Sequence, residues 1–345
     1  MQINSRVNWS GFRTLSGILF GIAMLLTNVV WCQENYIHYN KEILTAEKLY
    51  FTGKHKESLE KYQDIFSRYK KPFAIHCFVA TQMAAARNDT SLFFDFLGKA
   101  ASNGVPWSTL TKSVHVRRML KDGHTRRALD IQEEGWKKYL NSINKVLRDS
   151  IDYLVKRDNN DRKNWKPIKD SNRIYHYYNV KVLDENLHIL NRITKRVGFP
   201  GQHKIGLREN DDPWILRSFG STLLYHHFCG LSLMKEDLLK AVEDGELLPA
   251  EYALIYEWAY SSYYQSKGQF RGSNNIFHFT TKCDYPKQDK FYNNFLSPFF
   301  YSKDTLLVNK CRGEIGMQSL EHEQIKKMFE RNNQIIFRSG MFNFY

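Results

Sequence analysis

Apolar positions recur along most of the chain with a helical period. Ile43, Ala46, Leu49 and Tyr50 fall at three- and four-residue spacing. Gly53 interrupts them, and Leu59, Tyr62, Ile65 and Phe66 resume the pattern before Pro72. That is the signature of two amphipathic helices joined by a glycine turn. A second pair is predicted over 74–104, with Asn88-Asp89 at the turn and Ala100 and Gly104 closing the unit, and a third from Trp107 to Trp136. Beyond it, Ile143, Val146, Leu147, Ile151, Leu154 and Val155 form one helical stripe. Leu187, Leu190, Ile193 and Val197 form another, opened by Asp184 and stopped by Gly198 and Pro200. Helices are also predicted over 214–229 and 235–244, from Pro249 to Gly268, and from Ser319 to Asn332. Phe277 to Tyr301 is aromatic and irregular, and no strand alternation of useful length occurs, so the expected fold is all-α.

The string A-E-K-L-Y-F-T-G-K-H-K-E-S-L-E-K-Y, residues 46–62, resembles a tetratricopeptide repeat. Ala46 takes the small position of the first helix, Gly53 the turn, Ser58 the small position of the second helix, and Tyr62 its aromatic position. Small residues there let neighbouring helices approach closely. In the second copy Phe93 replaces the small residue. The resemblance implies helical hairpins over 37–137 that offer a face to a protein or peptide partner, followed by a helical domain over 140–330 and a tail over 331–345.

The N-terminus reads differently. Arg6 and Arg13 precede an uncharged stretch from Leu15 to Trp31, and the first acidic residue is Glu34. A basic start, an apolar run and a polar boundary at Gln33 predict a secretory signal peptide over 1–32, hence a periplasmic or extracellular protein. A retained N-terminal membrane anchor is the alternative, since the run is only slightly shorter than the roughly 20 residues of a spanning helix.

Charge and cysteines refine the picture. The 345 residues carry 50 Lys+Arg against 36 Asp+Glu, a net charge of +14. The excess lies in residues 105–208, with 23 basic and 11 acidic side chains, in runs such as Arg117-Arg118, Arg126-Arg127 and Lys137-Lys138. Such a surface can attract anionic partners weakly. These residues alternate with apolar ones at helical spacing, so they fit solvated helix faces better, and an exported protein is not expected to bind nucleic acid. With 42% hydrophobic residues and 14% aromatics, an intrinsically disordered chain is excluded. No Cys-x-x-Cys pair is present, which argues against a thioredoxin-like redox centre or a zinc knuckle. Cys77 and Cys229 lie in apolar stretches and are expected as buried thiols, leaving Cys283 with Cys311 as the pair to consider for a disulfide.

Polar residues also recur in an order. Asp158-Asn159-x-x-Arg162 ends one helix and Asn186 lies near the start of the next. Gly198-Phe199-Pro200, Tyr225-His226-His227, Glu257-Trp258, Gly268-Gln269-Phe270-Arg271-Gly272-Ser273-Asn274 and Asn309-Lys310-Cys311-Arg312 with Gly316 follow. Over about residues 145–325 this resembles the bacterial family called domain of unknown function 6624. Its members look like D-Q-x-x-R, D-x-x-N, G-W-P, Q-H-x-D, D-R, Q-x-Y-G-T-Q and R-x-x-x-G. The positions that match are Asp158, Arg162, Asn186, Gly198, Pro200, His227, Gln269, Gly272, Arg312 and Gly316. Asn159, His226, Cys229, Glu257-Trp258, Arg271 and Asn274 depart from the pattern, and Asp184 sits one residue closer to Asn186 than the family spacing. The resemblance implies a fold neighbourhood and no particular reaction.

Two functional classes follow. One is an exported helical scaffold or interaction protein that binds through its N-terminal hairpins. The other is an enzyme or small-ligand binder whose pocket gathers Arg162, His227, Glu257 and Gln269. There an inward His227 beside Glu257 acts as general base, Arg162 binds an anion and Gln269 orients a substrate. The same residues equally suit a buried polar network that holds helix register. No H-E-x-x-H, G-x-S-x-G, P-loop or G-x-G-x-x-G motif occurs, so neither a metal nor a cofactor is expected.

Overall fold

In the computed structural model the chain divides into two units, Met1–Glu34 and Asn35–Tyr345. The structure describes residues 35–163, 168–170, 173–177, 180–207, 219–225, 227, 229–266, 275–278, 295 and 304–337. The predicted signal segment therefore lies outside the described residues.

The first helices form hairpins. Helix α1 (Tyr36–Phe51) packs on α2 (His55–Arg68), and α3 (Ala74–Ala86) on α4 (Thr90–Ser102). Asn35 opens α1 by accepting the N–H groups of Ile37 and His38, and Asp89 opens α4 by accepting that of Leu92, so each side chain satisfies donors a helix start leaves exposed. The hairpin turns close alike. Gly53 (φ +81°) lets Lys54 N–H return to Leu49 O at 3.0 Å, and Asn88 (φ +54°) lets Asp89 N–H return to Ala84 O at 3.1 Å. Asparagine is among the few residues other than glycine that adopt this left-handed conformation at small cost, which is why Asn88 substitutes for the glycine. At the α1–α2 contact, Ala46 and Ser58 are fully buried, and the Ser58 hydroxyl donates to Ala46 O at 2.7 Å.

After the short helices α5 (Trp107–Leu110) and α6 (Val114–Met119), a π turn at Leu120–His124 leads into α7 (Thr125–Ser142), which lies along α4. Gly135 permits that approach, because a Cβ there would lie 2.5 Å from Ala101 Cβ. On α7 the basic runs are partly neutralised one turn away, by Arg126–Asp130, Lys137–Glu133 and Lys138–Glu134, as expected of a solvated helix face.

The second half is built from α8 (Lys145–Lys163), α9 (Val180–Val197), α10 (Gln202–Ile205), α11 (Phe219–Tyr225), α12 (Cys229–Glu243), α13 (Pro249–Ser266), α14 (Thr305–Glu314) and α15 (Leu320–Asn333). Helix α9 begins four residues before Asp184, and the segment expected as one helix over 214–229 holds only the two turns of α11 among the described residues. Ser319 caps α15 through His322 N–H. Two apolar cores result. One gathers Tyr39, Tyr62, Phe78, Phe93 and Phe96 from the hairpins, and the other Leu154, Leu190, Leu238, Tyr252 and Tyr256.

The class is all-α, with one small addition. Strands β1 (Ile168–Asp170), β2 (Arg173–Tyr177) and β3 (Asn275–His278) form a sheet in which β2 pairs antiparallel with β1 and parallel with β3. No strand was expected there, because three to five residues carry too little alternation to register. Among the described residues, no helix is long and apolar enough to cross a membrane.

Two cysteine expectations are overturned. Cys229 is disulfide-bonded rather than a buried thiol, its partner lying outside the described residues. Cys311 is a buried thiol, so it does not pair with Cys283. Both readings followed local apolarity, whereas pairing depends on which distant chain passes nearby. Cys77 is a buried thiol, as expected.

Candidate functional site

Glu257 stands on α13, with 3% of its surface exposed. Its Oε1 accepts the backbone N–H of Phe295 at 3.1 Å. Arg312 on α14 holds the same residue, its Nε donating to Phe295 O at 2.8 Å. The Arg312 Nη2 reaches Glu323 Oε2 on α15 at 2.6 Å, and Lys327 Nζ lies 3.4 Å from Glu323 Oε1. The Phe295 ring meets the rings of Tyr252 and Tyr256 edge-on. Glu257 and Arg312 thus hold the Phe295 backbone between α13 and α14, and α14 and α15 share a charge pair almost closed to solvent.

His227 is buried, as expected, but not because it rides on a helix. It sits in the link between α11 and α12. Its Nδ1 accepts the N–H of Cys229 at 3.1 Å, capping the start of α12. An acceptor Nδ1 leaves the ring proton on Nε2, which faces Asp184 Oδ1 at 2.5 Å. Burial pushes the imidazole pKa below its ordinary value, against the pull of Asp184. On the neighbouring face Asn186 donates to Leu154 O at 3.2 Å and receives Arg157 Nη1 at 3.3 Å, while Arg157 also pairs with Glu185. Asp158 is fully buried nearby on α8. Both ring nitrogens of His227 are engaged, so no lone pair is presented for abstracting a substrate proton. The arrangement ties α8, α9 and α12 together.

Of the four residues proposed as one pocket, His227 meets Asp184 and Cys229, and Glu257 meets Phe295. The Arg162 side chain and Gln269 lie outside the described residues, as do Gly272 and Cys283. Gly198 and Gly316 adopt left-handed φ of +76° and +77° after the ends of α9 and α14. Among the described residues no group of three or more His, Cys, Asp or Glu side chains could hold a metal ion.

A different site emerges on the hairpins. After α15, Gln334 takes φ +56°, and the chain continues without helix, Ile335 and Phe337 buried in the first core and Ile336 turning its N–H and C=O to one side between them, the alternation of an extended backbone. Gln82 on α3, fully buried, meets Ile336 with both ends of its amide. Nε2 donates to Ile336 O at 3.0 Å, and Oε1 accepts Ile336 N–H at 3.0 Å. A side chain thereby supplies the donor and acceptor that a neighbouring strand would supply. His115 Nε2 lies 2.6 Å from Asn333 O, and the Phe337 ring packs 5.3 Å from that of Phe51. Beside Phe337 lies a cavity of about 70 Å³, lined in part by Ile43, Ile75, His76, Met317 and Lys326.

The helix preceding the segment is anchored as well. Glu47, buried on α1, receives Lys326 Nζ at 2.8 Å and lies 3.1 Å from His322 Nε2. Burial would raise its carboxyl, but Lys326 and His322 hold it at about 2. The helical pattern hid both Gln82 and Glu47. Polar residues on an otherwise apolar face, Gln82 among Val79, Met83 and Ala86 and Glu47 beside Ile43 and Tyr50, were the available signal. No protein-family model, curated protein or solved structure matches the chain.

Proposed function

We propose that the protein is an exported interaction scaffold that takes an extended peptide onto its N-terminal helical hairpins, in the manner the tetratricopeptide-like string implies. The observation that carries the reading is the paired Gln82–Ile336 contact, where a helix side chain recognises peptide backbone rather than a particular side chain. Backbone recognition combined with apolar burial on either side is how extended peptides bind with affinity and selectivity. Panning a random peptide library against the chain from residue 33 onward tests this. The expected result is an enriched consensus of alternating apolar residues whose binding falls in Gln82→Ala. Enriched peptides without a consensus, bound equally well by Gln82→Ala, would refute it.

Export is supported by the uncharged stretch after Arg13 and by the disulfide at Cys229, a bond that persists in oxidising compartments. N-terminal sequencing from an envelope fraction is expected to begin near Gln33; a product retaining Met1 to Trp31 would instead mean a membrane anchor. The second half is proposed to share the fold neighbourhood of domain of unknown function 6624. The alternative reading, an enzyme or small-ligand binder using Arg162, His227, Glu257 and Gln269, draws its support from the burial of His227 and Glu257.

A further inference from the structure

We propose that the hairpin groove is specific for extended peptides with two apolar side chains in alternate positions, the second aromatic, and that the chain's own C-terminal segment is its resident occupant. Binding of a partner then proceeds by displacement. The inference rests on the scaffold reading above and adds ligand chemistry and regulation to it.

Segment 334–337 already makes the contacts a ligand would make. Ile335 and Phe337 are 1% and 5% exposed, with Ile336 between them satisfied by Gln82 through both its N–H and its C=O. The Phe337 ring meets Phe51 from α1, and the Lys326 ammonium lies 5.9 Å from its centroid. The carbonyl just upstream, at Asn333, meets His115. Two hairpin helices, α1 through Phe51 and α3 through Gln82, therefore contact one short stretch far away in sequence, while His115 of α6 holds the helix end just before it. The cavity beside Phe337 leaves room there for a bulkier aromatic ring.

The segment is also suited to leave. Its hinge is Gln334, a non-glycine residue in a left-handed conformation that costs backbone energy. Glu47 anchors the helix before the hinge, so α15 can stay in place when the segment detaches and gives up the hydrogen bond from Phe337 N–H to Glu330 at 2.6 Å. A tethered occupant competes at an effective concentration in the millimolar range. The affinity seen by an incoming peptide is reduced by the fraction of grooves standing open.

The test uses the chain from residue 33 onward and a fluorescein-labelled peptide of residues 333–338, followed by fluorescence polarisation. The opened variant Ile336→Pro/Phe337→Ala loses the amide donor to Gln82 and the buried ring. It is expected to bind the peptide at least about tenfold more tightly than the unmodified chain, and adding Gln82→Ala to it should cost about tenfold again. Equal binding by the unmodified and opened chains would overturn self-occupancy while leaving the scaffold reading intact. No binding by either would sink both. A concentration-dependent dimer of the unmodified chain that disappears in the opened variant would assign the groove to a second copy and overturn displacement by a partner peptide. If the opened variant fails to fold, hydrogen exchange at Ile336 in the unmodified chain decides. The proposal requires exchange to rise with added peptide, and a constant rate refutes it.

Discussion

Replacing Arg312 by alanine separates a structural network from a ligand-binding one. The guanidinium is 1% exposed and serves two partners on different elements, Phe295 O at 2.8 Å and Glu323 Oε2 at 2.6 Å. Removing one member of a buried ion pair costs about 3–5 kcal/mol, because the surviving charge stays desolvated. Lys327 remains 3.4 Å from Glu323 with about a third of its side chain exposed, which favours the lower half of that range. The Phe295 carbonyl also loses a charged donor, worth about 1–3 kcal/mol in a buried setting. The two losses share a side chain and are not additive, so about 4 kcal/mol is expected for Arg312→Ala. At about 2 °C per kcal/mol for a chain of this size, the melting midpoint should fall by roughly 8 °C. Urea denaturation followed by circular dichroism measures the loss, with an unchanged m-value required for the comparison. Arg312→Met combined with Glu323→Leu should recover the ion-pair part of the loss, since an apolar pair replaces a charged one, while Phe295 O still lacks its donor. A midpoint for Arg312→Ala within about 2 °C of the parent, at unchanged m, would refute the network.

Other outcomes follow from the same contacts. Ala46→Trp should overpack the α1–α2 contact at Ser58 and destabilise by about 1–3 kcal/mol; thermal melting equal to the parent's would mean the two helices do not meet there. Burial lowers the His76 and His203 pKa values to about 3. Their contribution to stability is therefore present above the ordinary histidine value near 6.5 and is lost as pH falls from there toward 3. Melting midpoints should drop over that window, and less steeply in His203→Phe, which retains a ring against Phe73. Glu246 has the opposite sign. Burial pushes its carboxyl up to about 7, so its contribution is present below about 4.5 and declines as pH rises through 7. Glu246→Gln, which can still accept the N–H groups of His203 and Lys204, should flatten that decline, and an identical pH profile would contradict it.

Helix identity and helix ends were legible in the sequence because they depend on neighbours three to five residues away. The stripes through Ile43–Tyr50 and Leu59–Phe66, the turn at Gly53 and its replacement at Asn88, the stop at Gly198 and the cap at Ser319 all follow from such local chemistry. What lay beyond that range was decided by which faces met. His227 is buried through Asp184, 43 residues earlier, and through the helix start at Cys229, not by helical register. Glu257 accepts the N–H of Phe295, so its isolation in an apolar run signalled a buried partner without saying which. Strands as short as β2 and β3 exist because each completes the other across about a hundred residues. The segment expected as a tail holds the last turn of α15 and a buried extended stretch. Gln82 meets it across 254 residues of chain, and only the folded arrangement brings an amide on the third helix against the backbone that follows the last one. A buried polar group must find a partner, and its sequence neighbourhood records the need while the tertiary fold supplies the partner.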